Sequence, residues 1–318
     1  MFLESFKTTG SAVGQIFLLC AIGYFLVKKK LLGEEGLDIL SRLVVEVTLP
    51  ILIFCQLIKD FRFDLYPNWW IFPLLSLLIT LAGLLVGYIF SGFIKGGHRK
   101  WQFLSLNAFQ NSGYLPLALI AALLPKDKAD IMFVYLFLFL LGFNLIVWSF
   151  GIYMLSFHES KKFEMGSLFS PPVIACLFSL AVIFLGLNKF MPDALSRTLR
   201  QVGDCTLPLA MFVVGGSLAP IQLKHVDKKA MTLLVLGKLI ILPALGLWLI
   251  TRLKLPELLG LLIIIQLAVP PATSLTVITR HYKKEDLLIS QGVFFGHILS
   301  LITLPIFLSL YFMFIVIK

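Results

Sequence analysis

The chain has 318 residues, 59% hydrophobic and only 14% charged, with a formal net charge of +10. A soluble domain is about half apolar and about a quarter charged, so this balance excludes an ordinary soluble core. Period-2 alternation is absent, which excludes a membrane β-barrel, and the positive charge lies in short loops with no soluble module long enough to bind nucleic acid.

Ten apolar blocks follow one another, at approximately 10–28, 36–58, 68–94, 101–124, 130–156, 168–188, 195–219, 229–251, 256–279 and 287–316. In lipid each backbone N–H and C=O must be satisfied internally, so each block is predicted to be a transmembrane helix unless it lines a protected cavity. The first ends in Lys28, Lys29 and Lys30 without a basic segment before it or a small-x-small pattern after it, and reads as a retained helix, not a signal peptide. The second carries Glu46 just before Thr48-Leu49-Pro50. Trp69, Trp70 and Trp101, at the starts of the third and fourth, suit the interfacial belt.

The fourth block holds Asn107, Gln110, Asn111, Ser112, Gly113 and Pro116, too many polar and helix-breaking residues for a continuous lipid-facing helix. The fifth contributes Asn144. A short polar link at 158–167 then divides the spans into five and five, giving units 1–157 and 168–318. The seventh block places Asp204 just before Thr206-Leu207-Pro208, and the eighth carries Lys238. In the ninth, Gln266 precedes Pro270, Pro271, Thr273 and Ser274; Pro271 lacks a donor and pushes Pro270 away from helical geometry. The tenth holds Gln291 and His297, the latter read as a packing residue or a proton relay. Cys20, Cys55, Cys176 and Cys205 lie in apolar blocks without metal-ligand spacing and read as packing residues; no metal or other cofactor is expected.

A shift of 158 residues superposes Arg42, Val44, Thr48, Leu49, Pro50 and Phe54 on Arg200, Val202, Thr206, Leu207, Pro208 and Phe212, and Glu46 on Asp204. It also lays the break in the fourth block on that in the ninth. Five is odd, so the second unit enters the membrane from the opposite side. The expected fold is an all-α membrane protein of two inverted five-helix repeats, with substrate near the midplane at the broken fourth and ninth helices. Odd-numbered loops carry more Lys and Arg, including Lys95, Arg99, Lys161, Lys162, Lys228, Lys283 and Lys284, which places them in the cytoplasm and both termini outside.

Half-helix N-termini at the breaks present free N–H groups and positive dipole ends suited to a carboxylate. Glu46 and Asp204 have two readings. They hold a coupling proton or sodium ion, or they form structural ion pairs with Arg42 and Arg200. Lys238 binds an anionic substrate or neutralises a carboxylate. The sequence lacks HExxH, GxSxG and a Gly-rich nucleotide loop followed by Lys, so an enzyme is not expected.

Asn111-Ser-Gly-Tyr-Leu-Pro116, the run from Val269 to Tyr282, and Gly292 to Pro305 together resemble the auxin efflux carrier family along the whole chain. The resemblance implies carriers of organic acid anions, with substrate held where two broken helices cross at proline. By position, Asn111, Gly113, Pro116, Pro270 and Pro271 would form that crossing, with Asn144 a nearby polar contact. The short link departs from the long-looped plant exporters and favours a compact, bacterial-type carrier in the cell membrane. Bile acid–sodium symporters share the general architecture, so the alternative is a sodium-coupled symporter of a larger amphipathic acid. The partners expected are a small organic anion, membrane lipid and a second copy of the chain in a homodimer.

Overall fold

The computed structural model describes residues 2–156, 169–281 and 287–316. The link at 158–167 with Lys161 and Lys162, and the loop residues Lys283 and Lys284, lie outside the described residues. Regular structure among the described residues is helical, apart from one isolated antiparallel bridge between Gln110 and Pro271.

Helix α1 (Phe2–Lys28) is followed by α2 (Glu34–Leu43), which runs through a π-helical turn (Val44–Thr48) into α3 (Leu49–Asp60). Next come α4 (Ile71–Ser91), the separated pair α5 (Gly97–Ala108) and α6 (Tyr114–Leu123), and α7 (Lys126–Ile146), which continues through a π turn into α8 (Ile152–Ser156). The second half begins with α9 (Pro171–Phe184), then α10 (Asp193–Asp204) abutting α11 (Thr206–Leu218). A further stretch, α12 (Lys228–Leu234), passes through a π-helical segment (Val235–Ile241) into α13 (Leu242–Leu253). The separated pair α14 (Glu257–Ala268) and α15 (Ser274–His281) and the long α16 (Leu287–Tyr311) complete the chain.

Among the described residues, six helical stretches are long and apolar enough to cross a membrane: Phe2–Lys28, Ile71–Ser91, Lys126–Leu155, Asp193–Leu218, Lys228–Leu253 and Leu287–Ile315. Their outward faces are apolar. Leu77, Leu81 and Leu85 of α4, and Phe178 and Phe184 of α9, are exposed, an arrangement suited to lipid and hazardous in water. The chain is a multi-pass membrane protein.

Proline explains three of the irregular turns. Pro50, Pro208 and Pro243 each stand at the start of a helix whose predecessor ends in a π turn or a junction. A proline ring clashes with the carbonyl four residues back and offers no donor. A widened turn relieves the clash while the helix continues.

Helix α1 lies on α11 and α16, α3 on α9 and α10, α4 on α5 and α7, and α14 on α13 and α16. The α1–α11 contact is nearly backbone on backbone, for a Cβ on Gly215 would overlap the Cys20 carbonyl. Small residues allow such close approach, and dispersion then holds the helices together in a solvent as apolar as their side chains.

One expectation needs correction. Cys205 is exposed and Cys55 half-buried, so only Cys20 and Cys176 are enclosed packing thiols. Glu46, in the π turn, and Asp204, at the end of α10, are both exposed.

Candidate functional site

The fourth and ninth stretches break where the sequence loses helix-compatible residues, over 109–113 and 269–273. The two extended segments lie against each other. Asn111 N–H donates to the Pro270 carbonyl at 2.8 Å, and Ala272 N–H donates to the Phe109 carbonyl at 2.9 Å. The crossing is therefore a two-bond antiparallel ladder buried between helices. It answers the question of where these interrupted backbone groups find partners.

That arrangement changes the expected donor set. The Asn111 and Ala272 N–H groups are used in holding the crossing together, and Ser112 N–H turns back to the Gln110 carbonyl at 2.8 Å. Leu117 N–H donates to the Gly113 carbonyl at 3.0 Å, Leu275 N–H to that of Ala272 at 3.3 Å and Thr276 N–H to that of Thr273 at 3.1 Å, and Pro116 has no N–H. What remains for a ligand are the N–H groups of Tyr114 and Leu115 at the start of α6 and of Ser274 at the start of α15. Both N-termini border one cavity of about 150 Å³. Gln110, Asn111, Ser112, Gly113 and Tyr114 line it from one break, and Ala272, Thr273 and Ser274 from the other.

The cavity is completed by Leu140, Phe143, Asn144, Val147 and Trp148 on the fifth stretch, by Val45 and Leu49 on the second, and by Ser170 and Pro172 at the start of α9. The wall formed by the two breaks is polar; the others are mainly apolar and aromatic, with Asn144 and Ser170 as their polar members. Several buried polar atoms have no partner: both amide atoms of Gln110, and the hydroxyls of Ser112 and Ser170. A buried polar group without a partner costs about 1–3 kcal/mol, so this concentration marks a place built for something that supplies hydrogen bonds.

The expected site residues divide. Gln110, Asn111, Gly113, Asn144, Thr273 and Ser274 line the cavity. Asn107, Pro116, Gln266, Pro270, Pro271 and Lys238 lie outside the lining, and their placement shows why. Asn107 is buried at the end of α5, with its Nδ2 donating to the Phe103 carbonyl at 2.9 Å. Gln266 Nε2 donates to the Ser112 carbonyl at 3.0 Å and so braces one break from the other helix. Pro270 and Pro271 pack on α16 at Gly296, where an added Cβ would strike the Pro271 ring. Lys238 sits in the π-helical segment at 1% exposure, and among the described residues no carboxylate pairs with it.

Gly113 is not needed for backbone approach, since a Cβ there would touch only Leu140 at 3.8 Å, an ordinary contact. Glu46 pairs with Arg42 at 3.0 Å on the exposed face of its helix, next to but not within the lining. Asp204 is exposed. Lining residues outside the expected contacts include Ser112 and Tyr114 of the first break, Phe143, Trp148 and Ser170. Trp148 was within reach, because it stands four residues after Asn144 and so shares its helix face.

A family model described as a membrane transport protein matches residues 10–164 and 156–308. An uncharacterized transporter of Methanothermobacter thermautotrophicus is 26% identical over 311 residues, 95% of this chain and 98% of its own. Protein PIN-LIKES 6 of Arabidopsis thaliana is 28% identical over 124 residues, 38% of this chain and 29% of the plant protein. Protein PIN-LIKES 3 of the same plant is 30% identical over 129 residues, 40% of this chain and 33% of its own length. The matches to the plant proteins thus span a third or less of those chains. Transport, not catalysis, is the common description. The chain belongs to the auxin efflux carrier family of membrane transport proteins.

Proposed function

We propose that the protein is a secondary transporter carrying a small organic acid anion across the cell membrane by alternating access. The observation that carries this reading is the convergence of two half-helix N-termini, α6 and α15, on one cavity with unpartnered polar atoms in its wall. Free N–H groups and the positive ends of two helix dipoles stabilise a negative charge that has left water. A carboxylate is the small organic group that fits them, and Phe143, Val147 and Trp148 would receive its apolar body. At about 150 Å³ the cavity favours a small acid over a large amphipathic one, since pockets for drug-sized ligands run from about 300 Å³ upward.

Ten spans in two inverted repeats form part of the proposal. The π turn before α3 and the α10–α11 junction occur at matching Thr-Leu-Pro sequences, and both crossing stretches break after an alanine, Ala108 and Ala268. With odd-numbered loops in the cytoplasm, the Trp148 and Ser170 side of the cavity would face inward.

Thermal unfolding of purified protein tests the function. A carboxylate that binds should stabilise by about 2.7 kcal/mol at a hundred times its Kd. Uptake of the same acid into proteoliposomes, with and without sodium, should then follow. Stabilisation by the neutral amides of these acids but not by the acids themselves would sink the anion reading.

A further inference from the structure

His297 lies in α16 with no exposed surface and makes two polar ring contacts. Its Nδ1 is 2.8 Å from the Val293 carbonyl oxygen. A carbonyl only accepts, so Nδ1 carries a proton. Its Nε2 is 3.4 Å from Asn111 Nδ2. In the neutral ring Nε2 is a bare lone pair, and it takes a hydrogen from the Asn111 amide. The end of that amide left for the cavity is then the oxygen, which repels a carboxylate.

A second proton on the ring reverses the contact. Nε2 becomes a donor, Asn111 must offer it Oδ1, and the NH₂ end of the amide turns to the cavity that Asn111 lines. The two amide orientations occupy the same space, so the ring's charge alone selects between them.

We propose that His297 is a positioning residue whose protonation turns the donor end of Asn111 toward the cavity, so that each anion bound is accompanied by one proton from solvent. This rests on the reading of Asn111 as an anion contact. The surroundings link the proton to the anion. Among the described titratable side chains on elements packed against α16, two are buried: Lys238 of the π-helical segment, and Cys20 of α1, whose thiol is turned to Met211. Tyr24 of α1 is half-buried, and Glu4, Lys7 and Lys28 of α1, His98, Arg99 and Lys100 of α5, Lys228 and Lys229 of α12, Arg252 of α13 and Glu257 of α14 sit at or near helix ends. A carboxylate arriving beside Asn111 favours the charged form of the ring that Asn111 contacts. Linkage is reciprocal, so the anion must bind more tightly as pH falls.

Calorimetry with benzoate, acetate and malate as probes, each titrated in two buffers of different ionisation enthalpy, counts the protons taken up. We expect about one per anion in the wild type, with Kd tightening by up to tenfold per pH unit while the probe itself stays ionised. His297→Gln offers Asn111 an amide of either polarity and cannot titrate. It should bind the same probe with no proton uptake and a flat pH profile. A wild type that binds without proton uptake overturns the proposal, as does unchanged uptake in His297→Gln. If that variant does not fold, the wild-type proton count decides alone. Undiminished affinity in Asn111→Ala, or no binding of any probe, is a different failure: it sinks the anion site itself and the proposal with it.

Discussion

Gln266→Leu removes a brace without touching the cavity. The Gln266 side chain is fully buried, its Nε2 donates to the Ser112 carbonyl at 3.0 Å, and it lies outside the cavity lining. Leucine is close in volume, so no large cavity opens, and the variant isolates one hydrogen bond. The Ser112 carbonyl would be left buried without that donor, a penalty of about 1–3 kcal/mol. The 109–113 segment can avoid the penalty only by shifting, and shifting moves Asn111 and the first turn of α6 away from α15. At about 1.4 kcal/mol per factor of ten, anion affinity should fall between roughly fivefold and a hundredfold. Calorimetry on folded, monodisperse protein measures this, with Leu138→Ala as a control for a buried apolar change elsewhere. Wild-type affinity together with wild-type thermal stability in Gln266→Leu would refute the idea that the two breaks hold each other in register.

Asn111→Ala should weaken anion binding by about ten- to a hundredfold, because a hydrogen bond to a charged group contributes roughly 1.5–3 kcal/mol; equilibrium binding reads it directly. Glu46→Gln and Asp204→Asn should leave ion dependence of uptake unchanged, since neither carboxylate reaches the cavity; loss of that dependence in both would restore the coupling role. Gly215→Val should lower thermal stability by about 1–3 kcal/mol by forcing α1 off α11. Asp227 caps α12 by accepting from Ala230 N–H at 3.0 Å; that bond first, and Arg99 after it, hold its carboxyl below the usual aspartate range despite partial burial. A depressed pKa contributes stability above the unfolded value of about 3.9 and loses it as pH falls through the folded one. Asp227→Ala should therefore cost about 1 kcal/mol at neutral pH, with the gap from wild type closing in acid; a gap that widens would contradict this.

The crossing was legible in the sequence because its cause is local. Pro270, Pro271 and the amide-rich run from Asn107 to Pro116 cannot continue a helix, and a break in lipid must be sheltered. Which backbone groups the break leaves free was not legible. That depends on Asn111 and Ala272 donating across to the other segment, a pairing that no local pattern encodes. Which side Glu46 and Asp204 present was not legible for a related reason. Glu46 is exposed although Val44, two residues before it, is buried, and Asp204 is exposed next to buried Gly203, so the packing of neighbouring helices decides it. Trp148 and Ser170 joined the site through tertiary packing, which spacing within one helix reveals only for Trp148.

The brace between Gln266 and Ser112 joins residues 154 positions apart, and this bears on how the protein is made. Closing so long a loop is entropically costly, and non-local contacts of this kind form late. The first half of the chain emerges with its 109–113 segment unable to satisfy itself, and it must wait in the membrane for a partner that is still to be synthesised. Assembly of the crossing is thus the step that commits the fold. It should also make the two halves complementary as separate chains: a polypeptide ending at residue 156 ought to be unstable alone, and rescued when the remainder is supplied in trans.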